Sequence, residues 1–146
     1  MNSKEILKRI KSLPKDRNTP MPERVFYSGS NHSEVAIYYG TANNYEDLID
    51  FWISILSWVN GDLIEFDDII ILNERQEYPP KINYCETISL ESDELEGMID
   101  KIKTLDQFSE ILQIRNCYQM SKVWHDKKYI FDCGECFFLY NWYTGE

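Results

Sequence analysis

The chain predicts an α+β fold: a mainly antiparallel or mixed sheet packed with a long buried helix and two shorter helices, preceded by a short basic helix. Three observations carry that expectation. Strand-like and helix-like runs arrive in blocks instead of alternating strictly, which disfavours a parallel βαβ design. The C-terminal stretch holds closely spaced aromatic strands with the pattern of an antiparallel meander. A chain of 146 residues that is 43% hydrophobic, with ten Tyr, seven Phe and four Trp, can bury one adequate core and lies far from disordered composition.

In chain order, Ile6, Leu7, Ile10 and Leu13 recur at helical spacing among Lys4, Lys8, Arg9 and Lys11, giving a basic amphipathic helix. Pro14, Pro20 and Pro22 then mark a linker, so residues 1–24 are read as an arm and 25–146 as a single acidic α+β domain. Such an arm suits a membrane surface or a partner; the preferred reading lays it against the acidic body of its own chain or of a second copy. The runs VFYS and EVAIYYG, separated by turn formers, predict a hairpin. Asn43 or Asn44 caps a mostly buried helix running to Val59, with Asp47, Asp50, Ser54 and Ser57 in one polar stripe and Asn60-Gly61 as its end.

The run Ile69 to Leu72 is apolar on both faces and predicts a central strand, and INYCETISL predicts another. Ser92 or Asp93 caps a helix with Leu95, Met98, Ile99 and Ile102 on one side. Thr104-x-x-Gln107 has the form of a capping box that starts a further short helix. The tail then predicts a strand from Cys117 to Trp124, a turn at Asp126-Lys127-Lys128, and strands through Tyr129–Phe131 and Phe137–Trp142.

Charge is the strongest functional signal. Residues 1–24 carry seven Lys/Arg against three acids, +4, while residues 25–146 carry eight against twenty-two, −14, which together make the net −10. Between residues 43 and 110 seventeen acids face four bases. Solubility accounts for part of this, but interleaved Tyr and Trp are the side chains that interfaces favour, and the field accelerates encounter with a cation. Nucleic-acid binding by the body is disfavoured, because phosphate contacts need Lys and Arg. The N-terminus lacks the continuous apolar segment of a signal peptide, and no apolar run is long enough to span a bilayer, so a cytoplasmic protein without membrane attachment is expected.

Catalytic patterns are scarce. His32 and His125 are the only histidines, and neither a G-x-S-x-G elbow nor a phosphate-binding glycine loop occurs. Cys133-Gly134-Glu135-Cys136 has zinc-ligand spacing, with His125 and Cys117 to complete a set, but a second clear ligand pair is missing. A redox pair wants a helix N-terminus. The preferred reading is a glycine turn between two buried or half-buried thiols, with all four cysteines free. Glu65 and Asp67 share a strand face and Asp68 points away, which fits an exposed strand end better than half a metal site. The chain is therefore expected to have no catalytic residue, no cofactor and no metal.

Ala36-Ile37-Tyr38-Tyr39-Gly40 followed by Tyr45-Glu46-Asp47-Leu48-Ile49-Asp50-Phe51-Trp52, and Phe138-Leu139-Tyr140-Asn141-Trp142-Tyr143, resemble segments of bacterial toxin-immunity proteins of the contact-dependent growth inhibition and polymorphic-toxin type. That resemblance implies a non-enzymatic protein that binds a cognate toxin domain, often a basic nuclease, and blocks it. Partner contacts are expected at Glu46, Asp47 and Asp50, with Glu65, Asp67 and Asp68, for long-range attraction, and at Tyr39 and Trp58 as anchors. The alternatives are a small metal- or thiol-dependent enzyme using Cys133 and Cys136, or an acidic nucleic-acid mimic.

Overall fold

A computed structural model of the chain describes residues 1–14, 20–58, 82–108 and 113–145. The first helix, α1 (Ser3–Ser12), starts at Asn2, whose side-chain oxygen accepts the Glu5 N–H at 3.0 Å and so satisfies a donor the helix itself leaves open. Ile6 and Ile10, one helical turn apart, are fully buried. Strands β1 (Glu23–Gly29) and β2 (Ser33–Thr41) form the expected hairpin. After it come α2 (Leu48–Trp58), β3 (Glu86–Ile88), α3 (Asp93–Lys103), β4 (Asn116–Val123), β5 (Asp126–Asp132) and β6 (Cys136–Thr144).

The fold is α+β with a six-stranded antiparallel sheet in the order β1-β2-β6-β5-β4-β3. Strand β2 pairs with β6 along its whole length, from Ser33↔Thr144 to Thr41↔Cys136, and so joins the N-terminal hairpin to the C-terminal meander. Side chains alternate between sheet faces, so register assigns them in rows. Tyr38, Leu139, Ile130 and Tyr118 stand side by side in one row, and Tyr39, Phe138, Phe131 and Cys117 in the next. The first row shares a core with Ile6 and Ile10 of α1 and with Phe51, Trp52 and Ile55 of α2. The second shares a core with Leu95, Met98 and Ile102 of α3 and with Phe108. Helices on both faces explain why the central strands are apolar on both.

The arm is part of this architecture. Ile6 and Ile10 pack in the core of α2, the Asn83 amide donates to the Ser3 carbonyl at 3.2 Å, and the Trp52 indole N–H donates to the Ile82 carbonyl at 3.2 Å. Basic α1 thus lies against its own acidic body.

Helix α2 begins later than Asn43 or Asn44 predicts. Those residues lie in a 3-10 turn, Ala42–Asn44, and the cap is Asp47. The Asp47 carboxylate accepts the Asp50 N–H at 2.9 Å, while the Asp50 carboxylate accepts the Glu46 N–H at 2.9 Å. The two carboxylates thus reciprocally accept one N–H of the first turn and one just before the cap, which fixes the helix start at Asp47. Three of the four residues of the stripe predicted as polar are also buried: Asp50 is 4% exposed, Ser54 0% and Ser57 8%, while Asp47 is half-exposed. Ser54 and Ser57 donate back to the Phe51 and Ile53 carbonyls at 2.6 and 2.9 Å, so their hydroxyls need no water.

Other boundaries shift for local reasons. The β4–β5 turn falls on Trp124-His125, and Asp126-Lys127-Lys128 belong to β5, where Asp126 and Lys128 form an ion pair along one strand face. Of INYCETISL only Glu86–Ile88 pairs with β4. Ser92, one of the two residues expected there, occupies the N-cap position of α3 without a side-chain capping bond. Thr104 closes that helix by donating to the Lys101 carbonyl at 2.6 Å, instead of opening a new one; a 3-10 turn, Asp106–Phe108, follows. The proposed strand Ile69–Leu72, Val59 and the Asn60-Gly61 cap lie outside the described residues.

Candidate functional site

The end of β2, the turn between β5 and β6, the first residue of β1 and the turn after α3 converge on a groove of about 670 Å³. Gly40 brings the chain there. A Cβ at Gly40 would stand 2.5 Å from Tyr45 Cε2 and 3.0 Å from Phe51 Cε1, so only glycine lets these rings cover the strand. The chain then turns through Ala42, whose N–H donates to the Glu135 carbonyl at 2.9 Å and fastens the β5–β6 turn beside it.

That turn is Cys133-Gly134-Glu135-Cys136. Gly134 has φ +81°, the left-handed region that disfavours a side chain, and its N–H donates to the Asp132 carboxylate at 2.8 Å. The Cys133 N–H donates to the Cys136 carbonyl at 3.0 Å, placing the two residues opposite each other across a two-residue loop. All four cysteines are free thiols, and Cys133 and Cys136 are buried, matching the expected glycine turn flanked by thiols. The neighbouring Cys136 thiol and burial push Cys133 up, while proximity to Cys133 pulls Cys136 down.

Aromatic residues form one side of the groove. The Tyr39 ring centroid lies 4.8 Å from that of Phe108 and 5.4 Å from Phe138, and Phe108 meets Phe138 edge-on at 4.9 Å. Tyr39 and Phe108 line the groove and Phe138 backs them. Glu23, paired across the hairpin with Tyr39, and Glu135, at the tip of its turn, place exposed carboxylates on the lining. Asn43 and Gln107 add exposed amides. Among the described lining residues none is basic, and neither glutamate forms an ion pair with another described residue.

The expected contact residues are not gathered on one face. Tyr39 lines the groove on the α3 side of the sheet, whereas α2 covers the other side. Glu46 is 77% exposed and faces solvent. Asp47 is half-exposed and gripped by Arg9, with Nη2 to Oδ2 at 2.5 Å and Nη1 to Oδ1 at 3.2 Å. Asp50 is buried in the α2 cap, which corrects its reading as a surface charge. Trp58 is 39% exposed at the last described turn of α2. Glu65, Asp67 and Asp68 lie outside the described residues.

Sequence reasoning missed Glu23, Gln107, Phe108 and Glu135. Glu23 was absorbed into the arm's charge count, and only the β1–β2 register brings it beside Tyr39. Glu135 was within reach, because a tight turn predicted at Cys133–Cys136 must expose its central polar residue.

Metal chemistry finds little support in this geometry. His125 precedes β5 and Cys133 follows it, so eight residue steps along an extended strand separate them by roughly 26 Å at about 3.3 Å per residue. Cys117 lies in the α3 core with its thiol pushed up to about 12, by burial first and then by Glu94. Among the described residues no group of three or more His, Cys, Asp or Glu is arranged to hold a metal ion, and no helix is long and apolar enough to cross a membrane. No family model, curated protein or solved structure matches the chain.

Proposed function

We propose that the chain is an immunity-type inhibitor: a binding protein without catalytic chemistry of its own that captures and neutralises a cationic toxin domain. One observation carries this reading. The basic helix is folded onto the body, with Arg9 engaged by Asp47 and Glu46, while carboxylates remain turned to solvent over a wide surface. Asp93, Glu96 and Asp100 are exposed on α3, whose Glu94 instead accepts the Tyr129 hydroxyl, and Glu23 and Glu135 are exposed on the groove. Exposed carboxylates on a rigid scaffold supply steering, and the half-exposed rings of Tyr39 and Trp58 supply contact area. Relative to the sequence expectation, Glu46 keeps its steering role, Asp50 leaves the interface, and the α3 carboxylates join it.

The reading is tested by co-expression with the product of the gene next to its own, where that product arrests growth alone. Growth restored by this chain, with the two proteins co-purifying in fixed stoichiometry, supports it. Growth arrest that persists although both proteins accumulate contradicts it.

A further inference from the structure

We infer that the groove between Tyr39, Phe108 and the Cys133–Cys136 turn is a socket for an arginine side chain of the polypeptide partner. This rests on the proposed inhibitor function and deepens it. Two lining residues carry carboxylates, Glu23 on the edge strand and Glu135 in the turn, and neither forms an ion pair with another described residue, the Arg115 guanidinium packing instead against Gly134. The same groove is lined by Tyr39, cross-strand neighbour of Glu23, and by Phe108, which packs on the Tyr39 ring. A guanidinium is planar, weakly hydrated and always charged; it stacks on aromatic faces and offers five donors in a fixed fork. The groove supplies the complementary groups: an aromatic surface, two carboxylates, and the amide oxygens of Asn43 and Gln107. An anion would find no cation among the described lining residues, and a purely apolar group would leave the carboxylates and amides facing it without partners.

The socket is also held in shape. The Ala42 N–H to Glu135 carbonyl bond ties its two loops together, the Cys133 N–H to Cys136 carbonyl bond closes the turn, and Tyr39 is fixed by pairing on both sides within the sheet. Preorganisation of this kind reduces the ordering cost of seating a long side chain. Free arginine shares the recognised chemistry, but a mouth built from four chain segments with room beyond one side chain suits a residue presented by a protein surface.

The test is titration of the full chain, ¹⁵N-labelled, with the blocked peptides Ac-Gly-Arg-Gly-NH2 and Ac-Gly-Gln-Gly-NH2 and with free arginine, followed by amide shifts. The arginine peptide is expected to move the signals of Thr41, Gly134, Glu135 and the Gln107 side chain saturably, at lower concentration than free arginine and without effect from the glutamine peptide. The double variant Glu23→Gln, Glu135→Gln, whose thermal midpoint and remaining spectrum verify its fold, should weaken binding roughly tenfold, as expected for two largely exposed charges. Equal response to the glutamine peptide, shifts confined to α3, or undiminished binding by the double variant would overturn the socket. Tighter binding of free arginine than of the peptide would also overturn it, by making the ligand a small molecule. The titration uses no toxin, so its failure leaves the inhibitor reading standing, and failed growth rescue leaves the titration interpretable.

Discussion

The Arg9 guanidinium holds both carboxylate oxygens of Asp47, and Asp47 is at the same time the N-cap of α2. One carboxylate thus joins the basic arm to the longest run of buried residues in the described chain, Ile49–Ser57. The charge split seen in the sequence is partly an internal contact, formed between the +4 segment and the −14 body.

Asp47→Ala removes both the cap and the ion pair and should cost about 2 kcal/mol. Asp47→Asn keeps a cap acceptor and loses only the pair, as does Arg9→Met, so each should cost about 0.5 to 1 kcal/mol, the range for a pair this exposed. Urea unfolding measures all three. Combining Arg9→Met with Asp47→Asn should add little beyond either alone, and added salt should shrink both effects.

Three glycines should respond differently to alanine. Gly40→Ala forces a methyl into the Tyr45 and Phe51 rings, and Gly134→Ala places one at φ +81° within 2.7 Å of Arg115 Cζ; each should cost about 1 to 3 kcal/mol. At Gly97 an added Cβ meets nothing within 4 Å, and the position is inside α3, so Gly97→Ala should stabilise by up to about 1 kcal/mol. Thermal melts should place Gly40→Ala and Gly134→Ala below the parent chain and Gly97→Ala at or above it.

Stability should fall in alkaline solution. Cys117 is pushed up to about 12 by burial, and Tyr129 is raised by burial and by its hydrogen bond to Glu94. Both groups hold their protons more tightly when folded. Their contribution is complete below the ordinary thiol and phenol values and is lost as pH rises through them towards the folded values. Each proton involved lowers stability by about 1.4 kcal/mol per pH unit. Urea midpoints between pH 8 and 11 should therefore decline, and Cys117→Val should make the decline shallower while changing little at pH 7.

Much of the architecture was legible because it depends on local periodicity. Ile6 and Ile10, the Leu95–Met98–Ile102 face, the first hairpin and the aromatic strands all announce themselves by spacing. What escaped was set by non-local pairing. The β2–β6 contact joins residues a hundred positions apart, and the groove exists only because it brings Thr41 beside Cys136. The α2 cap was misplaced where three acceptors competed: Asn43, Asn44 and Asp47 all suit an N-cap, and the partner Asp50, three residues beyond Asp47, decided between them. At the site, Tyr39 and the character of the Cys133–Cys136 turn were readable, whereas Glu23 and Gln107 were not, because register and a 3-10 turn bring them there. The burial of Asp50 was hidden as well, since its carboxylate serves a backbone N–H just outside the helix.

Capture of a cation by surface carboxylates is tested most directly by the association rate of this chain with its cationic partner, measured by stopped flow from about 20 to 500 mM salt. The rate constant should fall by at least tenfold across that range, and Glu46→Lys with Glu96→Lys should reduce both the low-salt rate and its salt dependence while the dissociation rate changes little. A rate indifferent to salt and to both substitutions would contradict the account.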